Sequence, residues 1–296
     1  MTEDRQPAVT VDPLSRDLIR LALREDLAGY GDVTSAWTVS ADRRASGRIV
    51  AREALIFSGA PLAAAVLAEV DPDAGFRLLV EEGSLIERGQ AAAALEGRAR
   101  SLLSAERTML NLLTHLSGVA TQTKRFAEAV AGTGAVVVDT RKTTPGLRLW
   151  EKRAVRHGGG GNHRFGLFDQ VLIKDNHLVA AGGVSAAVGR AREQAPFGMR
   201  IEVEVEDESG LREALAAGAD IIMLDNMGPE ELAVCVRIAR ASRPEVLLEA
   251  SGGVTRDTIR AIAESGIDVV STSALTAGAP PVDLALDFDQ PGASFD

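Results

Sequence analysis

Cysteine is almost missing from this chain: Cys235 is the single one, set in the apolar run ELAVCVRIA. An internal disulfide is thereby excluded, and with no partner base nearby the thiol reads as a small core residue rather than a nucleophile. No run of about 18 apolar residues occurs, so no membrane-spanning helix is expected. The opening MTEDRQPAV is polar and acidic and lacks the basic start and apolar stretch of a secretory signal, which makes a cytoplasmic location the expectation. Zinc-ligand spacings such as HExxH or CxxC are missing, as are a P-loop and a Gly-x-Gly-x-x-Gly that opens a helix. Positive charge is in deficit overall. A formal net charge of −10 argues against broad attraction to nucleic acid or anionic lipid.

What the chain does have is apolar mass and an uneven distribution of charge. Its 296 residues are 46% hydrophobic, enough for a large core in one big domain or in two of ordinary size. Between Asp139 and His177, eight basic residues (Arg141, Lys142, Arg148, Lys152, Arg153, Arg156, Arg164, Lys174) stand against four acids (Asp139, Glu151, Asp169, Asp175), a local excess of +4. The same stretch holds three of the four lysines and three of the four histidines. A compact cationic site in an acidic protein points to a small polyanionic ligand.

Near the start, Asp12 followed by Pro13 predicts a helix, with Leu14, Leu18, Leu21 and Leu27 as its apolar stripe and Gly29 and Gly31 as its stop. The loop GDVTS follows. Strand-like runs over 48–57 and 76–80 flank the helix PLAAAVLAEV, and a long helical region runs from about Arg100 to Val130 with an interruption at Gly118. After Gly134 the rhythm changes. AVVVD, QVLIK, IEVEVE, IIMLD, EVLLEA and DVVST alternate with stretches of helix length, which is a parallel βα series. Six such strands build either a barrel, closed or nearly so, or an open doubly wound sheet. In both architectures the carboxyl ends of the strands form the rim of the site, and here those ends are polar: Asp139-Thr140-Arg141-Lys142, Lys174-Asp175-Asn176, Glu204, Asp225-Asn226, Ser251-Gly252-Gly253 and Ser271-Thr272-Ser273.

Each of these ends carries its own chemistry. Arg141 offers a bidentate fork for carboxylate or phosphate, and Lys142 a compact charge. Four consecutive glycines in RHGGGGNHR would by themselves mean a flexible linker. The flanking His163 and Arg164 favour a backbone that approaches a ligand closely. Lys174 ends a buried strand, where a lysine is costly without anionic company. In EVEVE an inward glutamate needs a cation, and Glu204 with Asp225 makes an oxygen-ligand pair suited to Mg²⁺ carried on a pyrophosphate. Ser251, Gly252 and Gly253 turn a strand toward a helix and place backbone amides for a phosphate.

Taken together these segments resemble the quinolinate phosphoribosyltransferase family. The likeness runs through GDVTS, AERTMLNLLTHLSG, DTRKTTPGLR, GGGGNHRFGLFDQVLIKDNH, EVEVE, MLDN and EASGG, in that order. It implies an α/β fold in two domains: an N-terminal α/β sandwich over 1–117, completed by 280–296, and an incomplete, TIM-like α/β barrel of about six parallel strands over 118–279. It also implies transfer of phosphoribose from phosphoribosyl pyrophosphate to quinolinate with loss of CO2, using Mg²⁺, on the way to NAD. A homodimer with shared sites is expected, Arg107 of AERTMLN reaching into the neighbouring subunit's site to bind a substrate carboxylate. Arg141, His163 and Arg164 would line that dicarboxylate pocket, with Lys142 and Lys174 between it and the phosphoribosyl donor. Glu204 and Asp225 would face the ribose and the Mg²⁺, and Ser251, Gly252 and Gly253 the 5′-phosphate. Thr140 and Ser273 complete the expected substrate-binding set. One departure stands out: after the last strand the family reads close to GALTHS, whereas this chain has SALTAGA, with Ser273 for the glycine and Ala277 for the histidine. The alternatives are a paralogue acting on another pyridine or azole acid, and a non-catalytic dicarboxylate binder.

Overall fold

The computed structural model describes residues 11–289. The acidic opening and the last residues of the 280–296 tail lie outside the described residues. In chain order the elements are α1 (Pro13–Leu27), α2 (Val33–Thr38), β1 (Arg44–Ala51), β2 (Leu55–Ile56), α3 (Ala60–Val70), β3 (Gly75–Leu78), β4 (Leu85–Ile86), β5 (Ala91–Arg98), α4 (Ala99–Ala129), β6 (Val136–Val138), α5 (Arg148–His157), β7 (Val171–Ile173), α6 (Asp175–Ala181), α7 (Val184–Gln194), β8 (Ile201–Val205), α8 (Glu208–Ala217), β9 (Ile221–Asp225), α9 (Pro229–Ser242), β10 (Leu247–Ser251), α10 (Ile259–Glu264), β11 (Val269–Ser271) and β12 (Leu284–Phe288). They group into two compact units. One holds the chain up to Thr121, Thr144–Gly158 and the tail from Ala279; the other holds Gln122–Thr143 and Gly159–Gly278.

The first unit carries an antiparallel sheet in the order β12-β1-β5-β3, so the chain's last strand pairs with its first. Asp12 caps α1 by accepting from the Ser15 amide. The leucine stripe predicted for this helix is not its buried face: Leu14 and Leu21 are 64% and 57% exposed, while Ser15, Ile19 and Leu23 are buried. A serine occupies the core face because its hydroxyl is satisfied there, donating to Asp12 and accepting from Trp150 Nε1 at 2.7 Å. GDVTS is no loop either, since Asp32 accepts from the Ser35 amide and starts α2.

Helix α4 runs unbroken past Gly118, where an interruption was predicted. That glycine is required by a neighbour rather than by the helix: a Cβ there would lie 2.3 Å from the Pro280 carbonyl oxygen and 3.1 Å from Pro281 Cα. Gly118→Ala thus sets helix propensity against overlap. Propensity alone favours alanine by about 1 kcal/mol. The backbone clash cannot be relieved by a rotamer, so a net destabilisation of about 1–3 kcal/mol is expected. Denaturant unfolding of the two forms checks this, and a stabilised variant would show that the contact is soft.

Helix α5 belongs to the first unit and brings half of the basic stretch with it. Arg153 pairs with Glu82 at 2.7 Å and lies over the Trp150 ring, and Glu151 is fully buried against His115 Nε2 at 2.7 Å. Burial works to raise the Glu151 pKa, but hydrogen bonds from His115 and the Thr144 amide outweigh it and hold the carboxyl below its ordinary value. The local excess of +4 therefore does not describe one site: Arg148, Lys152, Arg153 and Arg156 sit on α5.

The second unit is a six-stranded parallel sheet in the order β6-β11-β10-β9-β8-β7. All six predicted strands are present. Neighbours follow one another in sequence from β7 to β11, and the first strand β6 pairs with the last, β11. That order belongs to a barrel and not to a doubly wound sheet, whose order reverses in the middle. The barrel is incomplete between β6 and β7, which do not pair. Gly161 runs along the free edge of β6, bridging to Val138, and a Cβ on it would lie 2.9 Å from Val138 Cγ1. At Gly161 the run of glycines is thus packed closely against β6 and is no linker there. Cys235 is buried on α9 and burial pushes its thiol pKa up, as suits a core residue. Among the described residues no helix is long and apolar enough to cross a membrane.

Candidate active site

The polar strand ends of the second unit line a cavity of about 590 Å³. A smaller lobe of about 290 Å³ shares Thr140, Lys142, Ser251, Gly252, Gly253 and Ser271 with it. The larger lobe is also lined by Arg141, His163, Arg164, Lys174, Glu204 and Asp225, and the smaller one by Ser273. Arg107 is exposed on α4 of the first unit and is not among the lining residues. Ala277 is exposed and lines neither lobe, although its neighbours Ala274 and Gly278 line the smaller one.

The cations of the large lobe are placed by backbone anchors. After β6, Thr140 Oγ1 accepts from the Lys142 amide at 3.0 Å, and the Lys142 carbonyl accepts from Thr276 Oγ1 at 2.9 Å. The buried Asp139 holds the facing segment through Asn162 Nδ2 at 2.6 Å and the His163 amide at 2.9 Å. Arg164 follows directly and donates from Nη1 to the Gln170 carbonyl at 3.3 Å. Burial and the neighbouring Arg141 guanidinium hold Arg164 below its usual pKa. Two guanidiniums that line one cavity are chemically suited to receive an anion there.

Beneath them, His163 Nε2 sits 3.2 Å from Glu202 and 3.3 Å from Glu249, both buried. Burial lowers the imidazole pKa, but the hydrogen bonds to the two carboxylates and their charges reverse this and push it up to about 10. The Arg164 amide opposes a second ring proton, because it points at Nδ1 from 2.7 Å. The three groups have metal-ligand spacing, within 4.8 Å of one another.

Glu204 and Asp225 stand on adjacent strands: Glu204 is paired with Met223, and Asp225 follows two residues later on the same face. Lys174 Nζ forms an ion pair with Glu204. The Lys174 backbone is fixed by its amide donating to His177 Nδ1 at 3.0 Å, which also starts α6. Asp225 Oδ2 accepts from Asn226 Nδ2 at 2.6 Å. Asn226 has φ 57°, and its amide donates to the Ser251 carbonyl at 2.8 Å.

Asn226 and Ser271 line the cavity as expected of polar strand ends, without an assigned role, whereas Glu202 and Glu249 were not among the expected site residues. Their signal was present for the glutamates: Glu249 precedes Ser251 by two residues just as Glu202 precedes Glu204, and strand side chains two apart share a face. Ser271 Oγ is buried with no hydrogen-bond partner at the junction of the lobes.

An incomplete parallel barrel whose strand ends gather cations, a carboxylate pair and a glycine turn around one cavity defines an α/β-barrel enzyme for polyanionic substrates. Comparison with known proteins narrows the class. Sequence models for the N-terminal and C-terminal domains of quinolinate phosphoribosyl transferase match residues 32–117 and 119–287. A nicotinate-nucleotide pyrophosphorylase (carboxylating) of Mycobacterium leprae is 44% identical over 276 residues, covering 93% of this chain and 97% of the relative. A probable enzyme of the same name from Synechocystis is 41% identical, covering 95% and 94%. The solved nicotinate-nucleotide pyrophosphorylase of Francisella tularensis superposes with a TM-score of 0.89 at 38% identity, covering 97% of this chain and 100% of that one. The chain belongs to the quinolinate phosphoribosyltransferase family.

Proposed function

We propose that this protein transfers phosphoribose from phosphoribosyl pyrophosphate to quinolinate and releases CO2, giving nicotinate mononucleotide and pyrophosphate for NAD biosynthesis in the cytoplasm. The observation that carries this reading is the pairing, in one cavity, of the Arg141 and Arg164 guanidiniums with a carboxylate pair and a glycine turn. Arg141 and Arg164 bind the acid's carboxylates, and Lys142 and Lys174 stand where the pyrophosphate meets it. The smaller lobe, with Gly252, Gly253 and the Ser273 backbone, takes the 5′-phosphate.

Displacing pyrophosphate from the anomeric carbon passes through a cationic sugar, so the chain's task is to align the ring nitrogen and stabilise charge. Glu204 and Asp225 are hard oxygen donors on one face, which fits Mg²⁺ but supplies too few ligands for a protein cage. They would hold it together with substrate oxygens, and the bound ion would neutralise the leaving pyrophosphate. Once the nitrogen is quaternary, the adjacent carboxylate departs as CO2; the bonding electron pair stays on the ring carbon, stabilised by the cationic nitrogen, and takes up a proton from water, while the guanidiniums retain the other carboxylate.

A homodimer with shared sites is part of this reading, supported by the exposed position of Arg107 on α4. Purified protein with quinolinate, phosphoribosyl pyrophosphate and Mg²⁺ should form the mononucleotide and release pyrophosphate, and nicotinate should not replace quinolinate. Binding without turnover would favour a dicarboxylate binder, and turnover with another acid a paralogue. Arg107→Ala and Lys174→Ala proteins, each inactive alone, should regain activity when mixed. No recovery after proven subunit exchange would remove the shared site.

A further inference from the structure

His163 lines the acid-binding lobe, yet both of its ring nitrogens are engaged by the protein. Nδ1 accepts from the Arg164 amide at 2.7 Å, and Nε2 lies between Glu202 and Glu249 at 3.2 and 3.3 Å. Those carboxylates rise from β8 and β10, two strands separated by β9, so the ring is gripped from both sides of the barrel floor. Gln170 Nε2 donates to Glu202 Oε2 at 2.6 Å, and the Gln170 carbonyl accepts from Arg164 Nη1 at 3.3 Å. The chain of contacts therefore begins at two buried glutamates and ends at both the backbone and the guanidinium of Arg164.

Burying two glutamates in a barrel is costly unless they do something a leucine cannot. We propose that Glu202 and Glu249 are positioning residues of the acid-binding lobe: they use His163 as a strut that fixes the height of Arg164 over the strand ends, and through it the affinity for the acid's carboxylate. The glutamates act on the acid and not on the phosphoribosyl donor, because their contacts lead to His163, Gln170 and Arg164. Guanidinium recognition is bidentate and directional, so a displaced fork loses its carboxylate before it loses its charge. This inference rests on the proposed reading of the lobe as an acid-binding site.

Steady-state kinetics on Glu249→Met and Glu249→Gln test it, with each substrate varied in turn. Wild-type turnover with quinolinate tests the underlying reading separately. In Glu249→Met the KM for the acid should rise about tenfold or more, with kcat and the KM for the donor within about threefold. Glu249→Gln keeps an acceptor oxygen in the same place and should return the acid KM to within about threefold of wild type. If Glu249→Met does not fold, Gln170→Leu carries the same prediction, since it removes the amide that steadies Glu202. An unchanged acid KM in the folded variant, a parallel loss in all three constants, or a Gln variant as impaired as the Met variant overturns the proposal.

Discussion

Lys174→Met should lower kcat by about a thousandfold while leaving the fold nearly as stable as before. The lysine is ion-paired with Glu204, whose side chain is 12% exposed. Removing it leaves Glu204 and Asp225 together without that counter-charge where, on the proposed reading, pyrophosphate departs. The loss is then double: a missing donor on the leaving group, and two carboxylates that repel it. Stability should change little, because the Lys174 side chain is 42% exposed and such pairs contribute about 1 kcal/mol or less. Lys174→Arg should restore only part of the activity, since a planar fork cannot occupy the space of a compact ammonium. A kcat within tenfold of wild type, measured on protein with an unchanged melting temperature, would place the leaving-group charge elsewhere.

The barrel was legible because each of its strands is a short β-branched run ending in polar residues, as in IIMLD and DVVST. Periodicity could not tell a barrel from an open sheet. That choice depends on which strand lies beside β6, and the partner, β11, is more than 130 residues away in sequence. Two of the misread places share a cause. In α1 a serine takes the core face because Asp12 and Trp150 satisfy it, and Trp150 is distant in sequence. At Gly118 the need for glycine comes from Pro280, also distant. The basic stretch misled in a related way, since charges adjacent in sequence were shared between two units. For the site, strand-end residues were readable one by one, whereas the floor needed a further step: Glu249 in LLEAS shares a face with Ser251, and that places it inward only once the strand's register is known.

Two adjacent glycines supply the sharpest comparison. Gly252 has φ +93°, and a Cβ there would lie 2.1 Å from Asn226 Oδ1 and 2.9 Å from Asn226 N. Gly253 has φ +59°, with nothing within 4 Å of its Cβ position. A side chain at 253 meets only the left-handed backbone cost of about 1–2 kcal/mol. At 252 the same addition must also drive Asn226 from its place, and Asn226 both donates to Asp225 Oδ2 and ties its own amide to the Ser251 carbonyl. Displacing it frees the Asp225 carboxylate and opens the turn at once. Gly252→Ala should therefore reduce kcat/KM for the phosphoribosyl donor by about a hundredfold or more, because a shift of about 1 Å at a positioned group can cost that much. Gly253→Ala should cost less than about tenfold, by the same reasoning without the displacement. Both proteins should fold, which thermal melts would verify before the kinetics. Equal losses at the two positions would mean that the turn itself, and not the Asn226–Asp225 contact behind it, sets the activity.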